Sequence, residues 1–229
     1  MSVIADNLQA IRKRIADAEK ASGRLAGCVN LLAVSKTKPM ADVLAAYAAG
    51  QHAFGENYVQ EGLEKCLASR HLSLEWHFIG PLQSNKTRWV AEHFSWVHSV
   101  DRMKTAERLA QQRPPELGPL NVCVQVNISG ETNKSGCQPA EAHKLCQAIS
   151  ELPNLRLRGL MTIPEATDDF FRQRQPFRAL RLLFAELEAQ GLALDTLSMG
   201  MTHDLEVAIG AGATLVRIGT AIFGERNYA

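Results

Sequence analysis

The chain has 229 residues, 46% hydrophobic and 21% charged, which describes a globular protein with a large core and excludes a disordered or fibrous one. Its 25 basic and 24 acidic side chains leave a net charge of +1, so no general attraction to nucleic acid or to an anionic membrane follows. Five scattered cysteines without a C-x-x-C argue against a disulfide framework, and neither a signal-peptide core nor an apolar run of the ~18 residues a membrane span needs is present, so a cytoplasmic location is expected.

In chain order, Val3, Ile4, Leu8, Ile11 and Ile15 recur at helical spacing and predict an opening amphipathic helix over 3–20. Short apolar runs then alternate with helical patterns. Strands are predicted at 30–35, 52–54, 75–79, 96–100, 121–128, 155–161, 194–198 and 214–218, and helices near 40–49, 57–69, 84–94, 102–112, 139–151, 170–190 and 203–211. The loop with Pro114, Pro115, Gly118 and Pro119 reads as a connector on the bottom face. Alternation of this kind predicts parallel βαβ units, and eight of them close a barrel. The expected fold is a single α/β domain over residues 1–229, a (β/α)8 TIM barrel with an additional N-terminal helix. A doubly wound open sheet has the same local pattern and remains the alternative.

The first strand carries the first sign of chemistry. "LLAVSKTKP" (31–39) is apolar until Lys36, which shares a face with Leu32 and Val34 by the two-residue period. A lysine there can snorkel to solvent. It can also be desolvated, with a lowered pKa, and attack a carbonyl to form a Schiff base. At the other end of the chain, Thr202 precedes a helical pattern and either caps that helix or holds an anion at its start. Arg217 and Gly219 lie on the last strand, and Gly219–Thr220 opens the next turn, where glycine lets backbone approach a ligand and Thr220 adds a hydroxyl. Barrels often bind phosphate after strands 7 and 8.

A Schiff-base lysine, two phosphate-friendly turns and an inward arginine suggest pyridoxal 5'-phosphate. Arg217 would face the pyridine nitrogen, donating to it while keeping its own proton, so the ring would be a poor electron sink.

The motifs AVSKTKP (33–39), FGENYVQE (54–61), WHFIGPLQSNK (76–86), VNISGETNKSG (126–136), GLMTIP (159–164), SMGMTHD (198–204) and VRIGTAIFGER (216–226) follow one another in a specific order. From about residue 5 to 228 the chain resembles the YggS/PROSC family of pyridoxal phosphate homeostasis proteins, related to the barrel domain of alanine racemase. The resemblance implies a barrel carrying the cofactor on Lys36, with Asn57 beside the ring and Arg217 at the pyridine nitrogen. Thr202, Gly219 and Thr220 would hold the phosphate, Thr202 standing where the family usually has serine. It also implies a carrier or buffer of the cofactor without catalytic turnover, lacking the second β-domain of alanine racemase. The expected partners are the cofactor and the enzymes that require it, and the expected state is a monomer.

An amino-acid racemase is the rival reading. Two-base racemisation needs a second base opposite Lys36, and Tyr47, Tyr58 and Tyr228 offer no obvious one. A phosphosugar lyase using Lys36 lacks the usual carboxylate partner. His77, between Trp76 and Phe78, reads as a packing histidine, and the seven histidines show no metal-ligand spacing. Gln83, Asn85, Lys86, Lys38 and Lys134 sit in loop-like settings as minor contributors at best.

Overall fold

Parallel strands need a crossover connection rather than a tight turn, and that requirement organises the whole chain. The computed structural model describes residues 2–131 and 134–225. Strands β1 (Asn30–Val34), β2 (Ala53–Glu56), β3 (Glu75–Phe78), β4 (Trp96–Val100), β5 (Leu120–Gln125), β6 (Leu155–Met161), β7 (Thr196–Ser198) and β8 (Leu215–Ile218) pair in chain order, and β8 closes on β1. Every pairing is parallel, with Leu32 opposite Arg217 and Val34 opposite Gly55. The barrel is closed, which rules out the open sheet.

The helices are α1 (Val3–Ala21), α2 (Met40–Ala48), α3 (Val59–Ala68), α4 (Thr87–His93), α5 (Met103–Gln112), α6 (Pro139–Ser150), α7 (Phe170–Ala189), α8 (Leu205–Gly210) and α9 (Thr220–Phe223). All the predicted elements form, with ends displaced by up to three residues, and α9 is additional.

The additional helix α1 starts where Ser2 Oγ accepts the Ala5 N–H at 3.3 Å, with Asp6 in its first turn. Its buried stripe of Leu8, Ile11, Ile15 and Ala18 packs on α8 and α9. Asn7 fixes the second contact by donating to the Ile222 carbonyl at 2.9 Å. The N-terminal helix therefore braces the turns that follow β7 and β8.

Strand alternation sorts the core into two layers. Ala33, Phe54, Val97, Val122, Leu160, Leu197 and Val216 join the helix faces in the large outer layer. Leu32, Val34, Ile79 and Leu215 form one cluster inside the barrel, and Trp96, Cys123 and Met161 form another. A Cβ added to Gly55 would lie 3.2 Å from both Leu32 Cδ2 and Ile79 Cδ1, so the lumen beside β2 is already full.

Candidate functional site

The carboxyl-terminal rim of β8, β1 and β2 gathers most of the residues singled out from the sequence. Lys36 is half-buried and lies beyond the end of β1, in a turn closed by Lys38 N–H donating to the Ser35 carbonyl at 3.0 Å. The predicted strand, which reached 35, therefore stops one residue earlier, and Lys36 belongs to the turn rather than to the strand. That turn has Thr37 at φ 63° in its third position, a conformation that non-glycine residues seldom adopt.

Three charged residues hold that turn, Lys65 and Glu56 buried and Glu61 half-buried. The Lys65 ammonium on α3 donates to the Ser35 carbonyl, Glu56 Oε1 and Glu61 Oε1, each at 2.7 Å. Ser35 Oγ also donates to Glu56 Oε1 at 2.7 Å, and Glu61 Oε1 accepts the Thr37 N–H at 2.6 Å. The residues on both sides of Lys36 are thus pinned by one cluster. Glu56 is fully buried, and burial pushes its carboxyl up while Lys65 holds it down, with the net effect upward. None of these three was singled out from the sequence. The Glu61–Lys65 spacing of four was visible there, but the burial of Glu56 was not.

Asn57 follows β2 directly. Its Oδ1 is buried and, among the described residues, has no hydrogen-bond partner. An acceptor left in that state costs about 1–3 kcal/mol, so an orphan beside a candidate binding lysine points to a ligand donor. Gly80, after β3, approaches so closely that a Cβ there would lie 2.1 Å from the Asn57 carbonyl oxygen.

On β8, Arg217 is buried and points into the lumen. It donates from Nη1 to the Ser198 carbonyl at 2.6 Å and to Ser198 Oγ at 2.7 Å, and from Nη2 to the Thr162 carbonyl at 2.9 Å. Burial pushes its pKa down to about 10, opposed by the nearby Asp204 carboxylate, so it stays cationic at neutral pH. Gly219 follows, and a Cβ there would meet the Val34 carbonyl at 3.2 Å, which ties the β8–α9 turn to β1.

Thr202 does not cap α8. Asp204 occupies the cap position and its carboxylate accepts the Met201 N–H, which folds Met201–Asp204 into a turn with Thr202 inside it. The Thr202 carbonyl accepts Arg14 Nη2 from α1 at 3.0 Å, and the same arginine pairs with Glu206 on α8. The predicted helix start at 203 therefore moves to Leu205, because residues 201–204 are taken up by that turn, and Asp204 stands at the N-cap position with its carboxylate turned back to Met201 rather than onto the helix. Thr202 and Gly219 are half-buried and Thr220 is exposed.

Tyr47 lies on α2 with its ring edge-on to His52, Tyr58 is exposed, and Tyr228 lies outside the described residues. Lys38 Nζ donates to the Glu225 carbonyl at 2.6 Å, and Lys134 pairs with Glu131 at 2.6 Å. Two residues of VNISGETNKSG, 132 and 133, lie outside the described residues, as does Arg226. Among the described residues, no group of three or more His, Cys, Asp or Glu could hold a metal ion, and no helix is long and apolar enough to cross a membrane. All five cysteines are free thiols, and burial pushes Cys66, Cys137 and Cys146 up to about 12, which leaves them unreactive.

His77 and His98 sit inside the barrel rather than at the rim, and burial pushes both pKa values down, His98 well down. An unfolded chain then binds more protons than the folded one once pH falls below about 6.5, so stability is lost as pH drops through that value toward the folded pKa values. The slope contributed is up to about 1.4 kcal/mol per pH unit for each histidine. Glu56, whose carboxyl is raised, acts in the opposite sense. Urea midpoints between pH 7.5 and 5 should therefore fall, and His98→Gln should flatten that fall by close to one proton. Equal slopes for the two proteins would refute a neutral buried His98.

A model of the alanine racemase N-terminal domain matches residues 6–227. The pyridoxal phosphate homeostasis protein of Pseudomonas aeruginosa is 59% identical over 228 residues, covering 100% of this chain and 98% of its own. The chain belongs to the pyridoxal phosphate homeostasis protein family. A solved member of this family, PipY of Synechococcus elongatus with pyridoxal phosphate bound, superimposes with a TM-score of 0.84 at 38% identity, covering 96% of this chain and 100% of that one. Alanine racemase of Corynebacterium glutamicum has the same barrel, with a TM-score of 0.76 at 17% identity, and 97% of this chain covers 61% of that one. The barrel of the family thus corresponds to a little over half of the racemase chain, as the sequence resemblance implies.

Proposed function

We propose that this chain binds pyridoxal 5'-phosphate as a Schiff base on Lys36 and serves as a carrier or buffer of the cofactor in the cytoplasm, without turnover of its own. The observation that carries this reading is the convergence on one rim of the Lys36 turn, the orphaned Asn57 Oδ1, the buried Arg217 and the Gly219–Thr220 turn. The family's name and the cofactor bound by PipY point the same way.

Each residue has a task in this reading. Lys36 supplies the amine, and the clamp formed by Glu56, Glu61 and Lys65 fixes where it starts. Asn57 Oδ1 accepts a donor on or beside the ring. Arg217 donates to the pyridine nitrogen and remains cationic, which keeps that nitrogen unprotonated and discourages carbanion chemistry. Thr202 and Thr220 offer hydroxyls to the phosphate, and Gly219 lets backbone N–H groups come close. When bound, the cofactor supplies an aldehyde that a receiving enzyme's lysine can take over by exchange.

Purified protein should take up pyridoxal phosphate and show its yellow absorbance band. Borohydride reduction and peptide mapping should place the pyridoxyl group on Lys36, and Lys36→Ala should abolish the band. A label found mainly on Lys38 or Lys134 would sink the assignment. Lys36-dependent conversion of L- to D-alanine at the rate of a dedicated enzyme would replace the carrier reading with the racemase.

A further inference from the structure

A chain of hydrogen bonds runs through the barrel from its amino-terminal mouth to Arg217. Glu75 Oε1, at the start of β3, lies 2.6 Å from His77 Nε2, and His77 Nδ1 lies 2.9 Å from His98 Nε2 on β4. His98 Nδ1 lies 2.8 Å from Ser198 Oγ on β7, which in turn accepts Arg217 Nη1 at 2.7 Å. β4 and β7 are not neighbours in the sheet, so the His98–Ser198 bond crosses the lumen. The four inner members are all buried. The outer member, Glu75, has a side chain half exposed to a cavity of about 370 Å³ lined also by Trp96, Arg158 and Asp195.

The Glu75 carboxylate, with both imidazoles neutral, dictates where every proton between the two ends sits. A guanidinium only donates, so Ser198 Oγ accepts from Arg217, and with a second lone pair and its own proton it can meet His98 Nδ1 in either sense. With the Glu75 carboxylate accepting from His77 Nε2 and both rings neutral, the order carries through and the Ser198 proton goes to His98 Nδ1. His98 then carries its proton on Nε2 and donates it to His77 Nδ1. His77 in turn carries its proton on Nε2 and donates it to the Glu75 carboxylate. The reverse order would set a bare His77 Nε2 against an ionised carboxylate, two acceptors 2.6 Å apart. All four bonds are made with both imidazoles neutral, which is the state that burial favours. The ring of His77 is held by stacking on Trp96, with centroids 5.2 Å apart and planes 7° from parallel. Other titratable or charged groups facing the chain are Arg158 beside Glu75, and Asp204 and Cys123 beside Arg217.

We propose that Glu75, His77, His98 and Ser198 are positioning residues for Arg217: a one-way relay that crosses the barrel and fixes the guanidinium plane presented at the opposite mouth. The inference rests on Arg217 being the partner of the cofactor's pyridine nitrogen. It assigns a role to polar residues whose presence in a barrel lumen packing alone does not explain, since apolar side chains would fill the same space without desolvating two imidazoles.

Nitrogen-15 NMR of the imidazoles reads the relay directly in the cofactor-free protein. At pH 7 both His77 and His98 should be neutral, with the proton on Nε2. Glu75→Leu removes the terminal acceptor. It should shift the tautomer signals of both histidines and weaken pyridoxal phosphate binding about three- to tenfold, the span one neutral hydrogen bond is worth. Glu75→Gln keeps an acceptor oxygen and should restore both. A cationic His98, an Nδ1 proton on either ring, or Glu75→Leu changing the melting temperature alone would overturn the proposal. Arg217→Lys separates the two claims. Unchanged cofactor affinity in that variant would refute Arg217 as the ring's partner, while the tautomers, read without ligand, judge the relay.

Discussion

Lys65→Met is expected to destabilise the fold by about 3–5 kcal/mol, the cost of leaving a buried charge without its partner. Glu56 is fully buried, and Lys65 is its only cationic contact among the described residues. With the ammonium gone, Glu56 keeps only the Ser35 hydroxyl, since its Oε2 already has no partner among those residues. The carboxyl can escape by taking up a proton, and its pKa is already raised, so the deficit should be smaller at pH 5.5 and grow as pH rises. The double variant Lys65→Met with Glu56→Leu should recover most of the loss, because an apolar pair has no charge to desolvate. Urea denaturation of the three proteins at both pH values measures all of this. A single-variant loss under 1 kcal/mol, or no recovery in the double variant, would show that the cluster is not load-sharing in this way. The effect should reach function as well, since the same ammonium holds the Ser35 carbonyl and aligns Glu61 on the Thr37 N–H. Cofactor uptake by Lys65→Met should therefore be impaired even under conditions in which it remains folded.

The barrel was legible in the sequence because its evidence is local and repeated. Apolar runs such as NLLAV and LRLRGLM, spaced by amphipathic helices, carry the parallel α/β pattern without any knowledge of partners. Lys36, Arg217 and the Gly219–Thr220 turn stood out because each sets a polar or permissive residue at the end of a buried strand. Asn57 did not stand out by itself and came only with the family resemblance. What escaped depends on contacts between distant segments. Ser198 and His98 are 100 residues apart, and nothing in either neighbourhood names the other. His77 could be read as a packing histidine, but its partners on both sides could not. Thr202 illustrates a local turn misjudged: Asp204, two residues on, accepts the Met201 N–H and keeps 201–204 out of the helix. The short helix α9 was missed because its four residues carry no periodicity to detect.

Gly80→Ala is expected to cost about 3 kcal/mol, at the upper end of the usual penalty for overpacking, because the obstacle is backbone rather than a movable side chain. The new Cβ would lie 2.1 Å from the Asn57 carbonyl oxygen and 2.7 Å from its carbon, far inside contact distance. Gly80 is buried, and Ile79 beside it donates its N–H to the Glu56 carbonyl at 2.9 Å, so the β3 side cannot swing away without breaking the ladder. The strain must then fall on Asn57. If Asn57 faces the cofactor ring, displacing it should weaken pyridoxal phosphate binding about tenfold beyond what the lost stability explains, as one misplaced hydrogen bond to a bound ligand does. Gly210→Ala is the control. That residue ends α8 with only Ser22 Oγ near, at 3.4 Å, and the change should be neutral or stabilise by up to about 1 kcal/mol. Urea denaturation and cofactor titration of both variants separate the outcomes. A Gly80→Ala protein as stable as the parent would mean that the Asn57 peptide yields freely, whereas a destabilised protein with unchanged affinity would remove Asn57 from the binding site.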